Sequence, residues 1–255
     1  MPRWWPDLAG SWIFYSTLPA LPGPPPRFER IARFAPVVGL IIGGAQAVLW
    51  WLGRAAGLPL GACTALVLGL GLLLSGGLHM DGVLDTGDGL AAGRRRLEAM
   101  ADSRIGASGL VAGLMVLLLK ASALLSLGAT AAPLLIWSSV WGRVAPLPAM
   151  AWFPYLRPGG SGAFHRSSRR PLSEELLPAA LTVGLLTGLS LSSPSIPWRG
   201  GALLSGLSGA LPALLVPLEL GRRLGGHTGD SYGACVEWSE ALSLWAGWLS
   251  WQLLS

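Results

Sequence analysis

The chain has 255 residues, a mean hydropathy of +0.54 and only 12% charged residues, about half the share of a soluble domain. Too little polar surface remains for a soluble globular protein, so the composition points to an all-α, polytopic helical membrane protein. The formal charge of +5 comes without an aromatic-interleaved basic patch, which excludes a nucleic-acid groove.

The first 33 residues hold no continuous apolar core and are rich in proline, which argues against a cleavable signal. Trp4, Trp5, Trp12, Phe14 and Tyr15 suit an interfacial segment at the headgroup level. Apolar stretches follow at about 34–52, 58–78, 109–131, 133–153, 176–193, 201–220 and 240–255. They predict a bundle of about six to seven spans within one integral membrane domain, 1–255. Cys63 and Cys235 form no zinc spacing or disulfide framework and read as small apolar residues. With the N-terminus in the cytoplasm, fourteen Lys and Arg fall in cytoplasmic segments and two, Arg54 and Arg199, on the other side. That asymmetry orients the chain. It also places Asp81, Asp85, Asp88, Asp102, Asp230, Glu237 and Glu240 on the cytoplasmic side.

Residues 76–90, GGLHMDGVLDTGDGL, follow an apolar run. Asp81, Asp85 and Asp88 are spaced i, i+4, i+7, one stripe of a helix. Ionised carboxylates about 5–6 Å apart repel by roughly 3 kcal/mol per pair at an effective dielectric of about 20. A cation relieves that crowding, and hard oxygen ligands suit Mg²⁺, which also bridges substrate phosphates. The surrounding glycines admit close approach of a phosphate. At 101–109, ADSRIGASG sets Asp102 and Arg104 before the next span. They read either as charges at a helix start or as a further metal ligand with a phosphate-binding arginine. Lys120 and Arg143 lie inside spans, where a charge costs at least about 2.5–3.5 kcal/mol, and the aspartate cluster or a diphosphate would be their natural partners. The polar, basic loop 157–171 reads as a positive-inside anchor or a loop near anionic groups. At 224–240, LGGHTGDSYGACVEWSE offers Asp230 and Glu237 seven residues apart, and His227 either holds a hydroxyl or phosphate or is simply solvated.

Carboxylates, a divalent cation and cationic side chains at a membrane face form a toolkit for breaking a phosphoanhydride. Spacing alone does not separate prenyl transfer from phosphoalcohol transfer. The three stretches 76–90, MADSRIGASG and 224–240 resemble the signature regions of the cobalamin synthase family, the adenosylcobinamide-GDP ribazoletransferases. STLPALP, FAPVVGLIIG, Lys120 and WGR at 141–143 add to the likeness, which runs from about residue 11 to 250 and departs at Thr17, Leu84 and His227.

The resemblance implies a Mg²⁺-dependent membrane transferase of late cobalamin biosynthesis. It would join adenosylcobinamide-GDP to α-ribazole or α-ribazole 5′-phosphate and release GMP, with the 5′-hydroxyl of α-ribazole as the attacking group. Asp81, Asp85, Asp88, Arg104 and Lys120 would be catalytic. His79, Arg143, His227 and Glu237 would bind substrate. Asp81, Asp85, Asp88, Asp102 and Asp230 would hold metal. The expected setting is the plasma (inner) membrane with the site facing the cytoplasm. Lipid and the two substrates are the expected partners, nucleic acid is not, and homo-oligomers or docked pathway enzymes stay open. The rival readings are a CDP-alcohol-type phosphotransferase, disfavoured because Asp85-Thr86 stands where Ala-Arg is wanted, and an ion-coupled transporter, for which no internal repeat is found.

Overall fold

The computed structural model describes residues 1–157, 171–192 and 199–254. Among them the regular elements are helical: α1 Trp5–Tyr15, α2 Ala35–Ala55, α3 Leu60–Leu74, α4 Leu78–Ala91, α5 Arg96–Ala99 and α6 Ala107–Leu127. α7 Ala131–Val144, α8 Pro146–Trp152, α9 Leu172–Ser192, α10 Arg199–Leu207, α11 Ala210–Leu224 and α12 Gly229–Leu254 complete the set. The expected all-α membrane bundle is therefore present. Most of the basic loop 157–171, from 158 to 170, lies outside the described residues.

By length and composition alone, four to five stretches qualify as spans, where about six to seven are expected. Four helical stretches have the length and hydropathy of a span: Ile31–Ala55, Ala107–Trp152, Ser173–Ser192 and Leu203–Leu224. The bent pair Leu60–Leu74 and Leu78–Ala91 adds a fifth if it counts as one. The physical causes are local. The 46-residue stretch 107–152 would reach about 69 Å if straight, but a 3-10 turn at Gly128–Thr130 interrupts it. The stretch 58–78 stops short because Gly76 and Gly77 take φ values of +62° and +71°, a left-handed turn that side-chain-bearing residues resist. The chain bends there by 91° into α4.

The last expected span, 240–255, is the end of a longer helix. α12 runs 26 residues, about 39 Å, and packs against α4, α6, α7, α8, α10 and α11. It sits at the centre of the bundle. Its acidic residues and serines keep it out of the apolar set, and buried Glu237, Ser239 and Ser243 face protein rather than lipid.

Close helix contact rests on small residues. Gly39 and Gly43 of α2, four apart, lie against α7, where a Cβ on Gly43 would come within 2.8 Å of the Ile136 Cα. Gly82 of α4 and Gly233 of α12 meet in the same manner beside His79. Gln46 donates from Nε2 to the Val67 carbonyl at 2.8 Å, tying α2 to α3. Cys63 and Cys235 are buried and free, as small apolar residues would be. α1 also packs against α2, and Thr17 bonds the carbonyl of Leu74 through its backbone N–H, so the N-terminal segment is fastened to the bundle.

Candidate active site

α4 lies between α6 and α12, and this placement turns its four chemical side chains in different directions. His79, in the first turn, is buried at 3% exposure and stacks on Tyr15 of α1, with ring centroids 5.9 Å apart. Neither ring nitrogen makes a hydrogen bond among the described residues. Beside it opens a cavity of about 140 Å³ between α1, α4, α8 and α12, with Asp81 and Asp230 in its lining.

Asp81 is exposed and Asp85 half-buried. Neither side chain takes part in a hydrogen bond or salt bridge among the described residues. Asp85 feels the like charges of Asp81, Asp230 and Asp88, relieved by the guanidinium of Arg157. Arg157 donates to Asp230 Oδ2 at 2.9 Å and to the Leu97 carbonyl at 3.1 Å. From the sequence Arg157 is only a loop charge; its neighbours Asp230 and Leu97 come from distant parts of the chain and leave no spacing signal.

Asp88 is placed differently from the other two. Its oxygens accept from the backbone N–H groups of Gly106 at 2.7 Å and Gly109 at 2.8 Å. The third aspartate of the stripe thus caps α6, and it does so from outside the helix, satisfying N–H groups that have no intrahelical partner. Asp102 accepts from the Arg104 side chain at 2.7 and 3.0 Å and from its backbone N–H at 3.0 Å. Hydrogen bonds from Arg104 hold the Asp102 carboxyl down at about 2. Arg104 itself is 87% exposed.

Lys120 and Arg143 are not paired with the aspartates. Lys120 Nζ donates to Glu237 Oε2 at 2.6 Å and to Glu240 Oε2 at 2.5 Å. Arg143 Nη1 donates to Glu240 Oε1 at 2.6 Å and to the Ser139 hydroxyl at 2.8 Å. The reason is the unbroken course of α12. Glu237 and Glu240 lie about 12 and 16 Å along it from Gly229, beside Lys120 rather than near Asp230 at the helix start. Spacing alone gives Glu240 no role. The available signal was its i, i+3 partnership with Glu237 in a helix facing two intramembrane cations.

His227 is fully buried. Its Nε2–H donates to the Pro217 carbonyl at 3.0 Å, because a carbonyl only accepts, and Nδ1 then accepts from the Ser231 hydroxyl at 2.9 Å. Burial drives its pKa down to about 4. Both nitrogens are thus committed to joining α11 to α12, so this histidine is buried and paired rather than solvated.

No group of three or more His, Cys, Asp or Glu among the described residues is arranged to hold a metal ion. The aspartate trio is therefore not a ready-made three-carboxylate cage, chiefly because Asp88 is spent on α6. Mg²⁺ asks for less: one or two carboxylates, with waters and substrate phosphates completing its shell. Asp81 and Asp85, one turn apart and without hydrogen bonds, with Asp230 nearby, meet that demand.

The chain matches the family described as cobalamin-5-phosphate synthase over residues 7–248. It is 54% identical over 248 residues to an adenosylcobinamide-GDP ribazoletransferase of Prochlorococcus marinus strain MIT 9313, covering 95% of each chain. It is 43% identical over 242 residues to the protein of that name in Thermosynechococcus vestitus, covering 94% of this chain and 95% of the relative. With the Synechocystis protein of that name the identity is 40% over 252 residues, 94% of each chain. No solved structure matches.

Proposed function

The chain belongs to the cobalamin-5-phosphate synthase family, and from that premise we propose that it is a membrane transferase joining adenosylcobinamide-GDP to α-ribazole or α-ribazole 5′-phosphate, with release of GMP. The observation that carries the reading is the acidic set at one cavity: Asp81 and Asp230 line it, and Asp85 stands close enough to feel both charges. A CDP-alcohol phosphotransferase or a transporter finds no support among the relatives.

A hydroxyl of the ribose attacks the phosphorus attached to cobinamide. A new P–O bond forms, the anhydride P–O bond breaks, and GMP leaves with the bridging oxygen. The attacking group is a ring hydroxyl rather than the 5′-hydroxyl expected from sequence, because the 5′ position stays phosphorylated in one of the two acceptors. Magnesium, held by Asp81 and Asp85 with Asp230 in support, would neutralise the diphosphate and the charge gathering on GMP. One of these aspartates takes the hydroxyl proton. Arg104, exposed on its loop, and Arg157, already beside Asp230, bind phosphate oxygens. Lys120, Arg143, Glu237 and Glu240 act from behind, fixing α12 and hence Asp230.

The distribution of arginines supports an inner-membrane setting with the site facing the cytoplasm, where nucleotides are made. Purified protein in detergent, given Mg²⁺ and both substrates, should form GMP and joined corrinoid in equal amounts. GMP formation that persists without α-ribazole, or transfer from a CDP-linked donor instead, would count against the proposal.

A further inference from the structure

We propose that the cavity between α1, α4, α8 and α12 seats the aromatic base of the acceptor nucleoside, with His79 donating a hydrogen bond to its one free ring nitrogen. This rests on the transferase reading above and assigns one end of that site to one substrate.

The walls are suited to a flat ring. Phe14, Tyr15 and Tyr232 supply aromatic surface, Val236 and Met150 aliphatic surface, and the volume of about 140 Å³ admits a bicyclic base. His79 is the anomaly in this wall. It is 3% exposed, stacked on Tyr15, and both of its ring nitrogens are without a hydrogen bond. Buried polar atoms are ordinarily satisfied, and an unpartnered imidazole on a residue that lines a cavity points to a ligand. Ligand sites combine mostly apolar walls with a few placed polar groups.

The two nucleosides of the reaction differ in what they need. Guanine presents a carbonyl and two kinds of N–H along one edge and leaves several groups unpaired in an apolar pocket. A benzimidazole-type base, once joined to ribose through one ring nitrogen, offers a single hydrogen-bonding atom, its other ring nitrogen. A single imidazole N–H satisfies it. Asp81 and Asp230 also line the cavity, so a base seated there directs its ribose towards the acidic set where the phosphates are handled.

The test measures equilibrium binding of α-ribazole, and separately of GMP, to the full-length protein in detergent, with no corrinoid present. V236F fills the cavity from α12. L78W narrows it from an exposed position, where Leu78 is 39% accessible and the fold tolerates a larger side chain. H79F keeps an aromatic ring and removes the donor. All three should weaken α-ribazole binding at least tenfold, raise the KM for α-ribazole in step, and leave GMP affinity unchanged. Loss of GMP affinity with α-ribazole untouched would overturn the assignment in favour of a guanine pocket. Unchanged affinity for both nucleosides would remove the cavity from substrate binding altogether. Because binding is read without turnover, a failure here stays separate from a failure of the wild-type protein to form GMP.

Discussion

Glu240 accepts from Lys120 and Arg143 at once, with its side chain only 14% exposed. Removing one partner of a buried ion pair leaves the other charge uncompensated, which typically costs roughly 3–5 kcal/mol. E240Q should therefore lower the melting temperature in detergent sharply, and K120M should do the same, while the double variant recovers part of the loss. His227 makes a different prediction. The unfolded chain takes up a proton at about 6.5, whereas the folded chain resists it down to about 4. The unfolded state then binds more protons across that window, so stability is complete above it and falls as pH drops from 6.5 to 4. H227Q, which keeps a donor and an acceptor, should flatten that acid slope in thermal melts at pH 4–7. At this scale the sequence disclosed which residues are unusual, because charges in an apolar chain are expensive wherever they stand. It did not disclose their partners. Glu240 looked like a lip residue, and Asp88 looked equivalent to Asp81 and Asp85, since helical spacing is silent about which neighbouring helix a side chain meets.

α4 and α6 are joined by Asp88, whose carboxylate holds the N–H groups of Gly106 and Gly109. D88A should cost about 1–2 kcal/mol, the usual worth of a lost cap, seen as a lowered melting temperature. D85A should leave melting unchanged or slightly raised, because three like charges outnumber Arg157 around Asp85 and it makes no hydrogen bond among the described residues. Equal destabilisation by both would contradict the division of roles between them. The α2–α7 contact gives a parallel test. A side chain at Gly43 would run into the Ile136 Cα and the Leu135 carbonyl, each 2.8 Å from a Cβ. G43L should destabilise by about 1–3 kcal/mol, whereas G44L, where a Cβ meets nothing within 4 Å, should not. Helix positions were legible from apolar runs: α2, α6 and α9 fall where hydropathy put them. Breaks and bends were less so. Gly76-Gly77 read as room for a phosphate, yet the pair turns the chain by 91°. α12 was seen only as its apolar tail because its polar half answers to buried partners rather than to lipid.

For the whole molecule, the central polar helix wrapped by apolar ones explains how so few charges can serve both stability and chemistry. The buried ion network sits deep, and the aspartates lie towards the start of α12 and along α4. The proposed orientation rests on the arginine count and is open to a direct check. A cysteine placed at Arg95, in a variant whose native Cys63 and Cys235 stay buried, should react with an impermeant maleimide only after cells are opened. Labelling in intact cells would reverse the assigned topology. The measurement closest to the heart of the account is GMP formation by D85N at saturating adenosylcobinamide-GDP, α-ribazole and Mg²⁺. A fall in kcat of at least about a hundredfold, with α-ribazole affinity and melting temperature kept, is the predicted result. Wild-type turnover by D85N would contradict it.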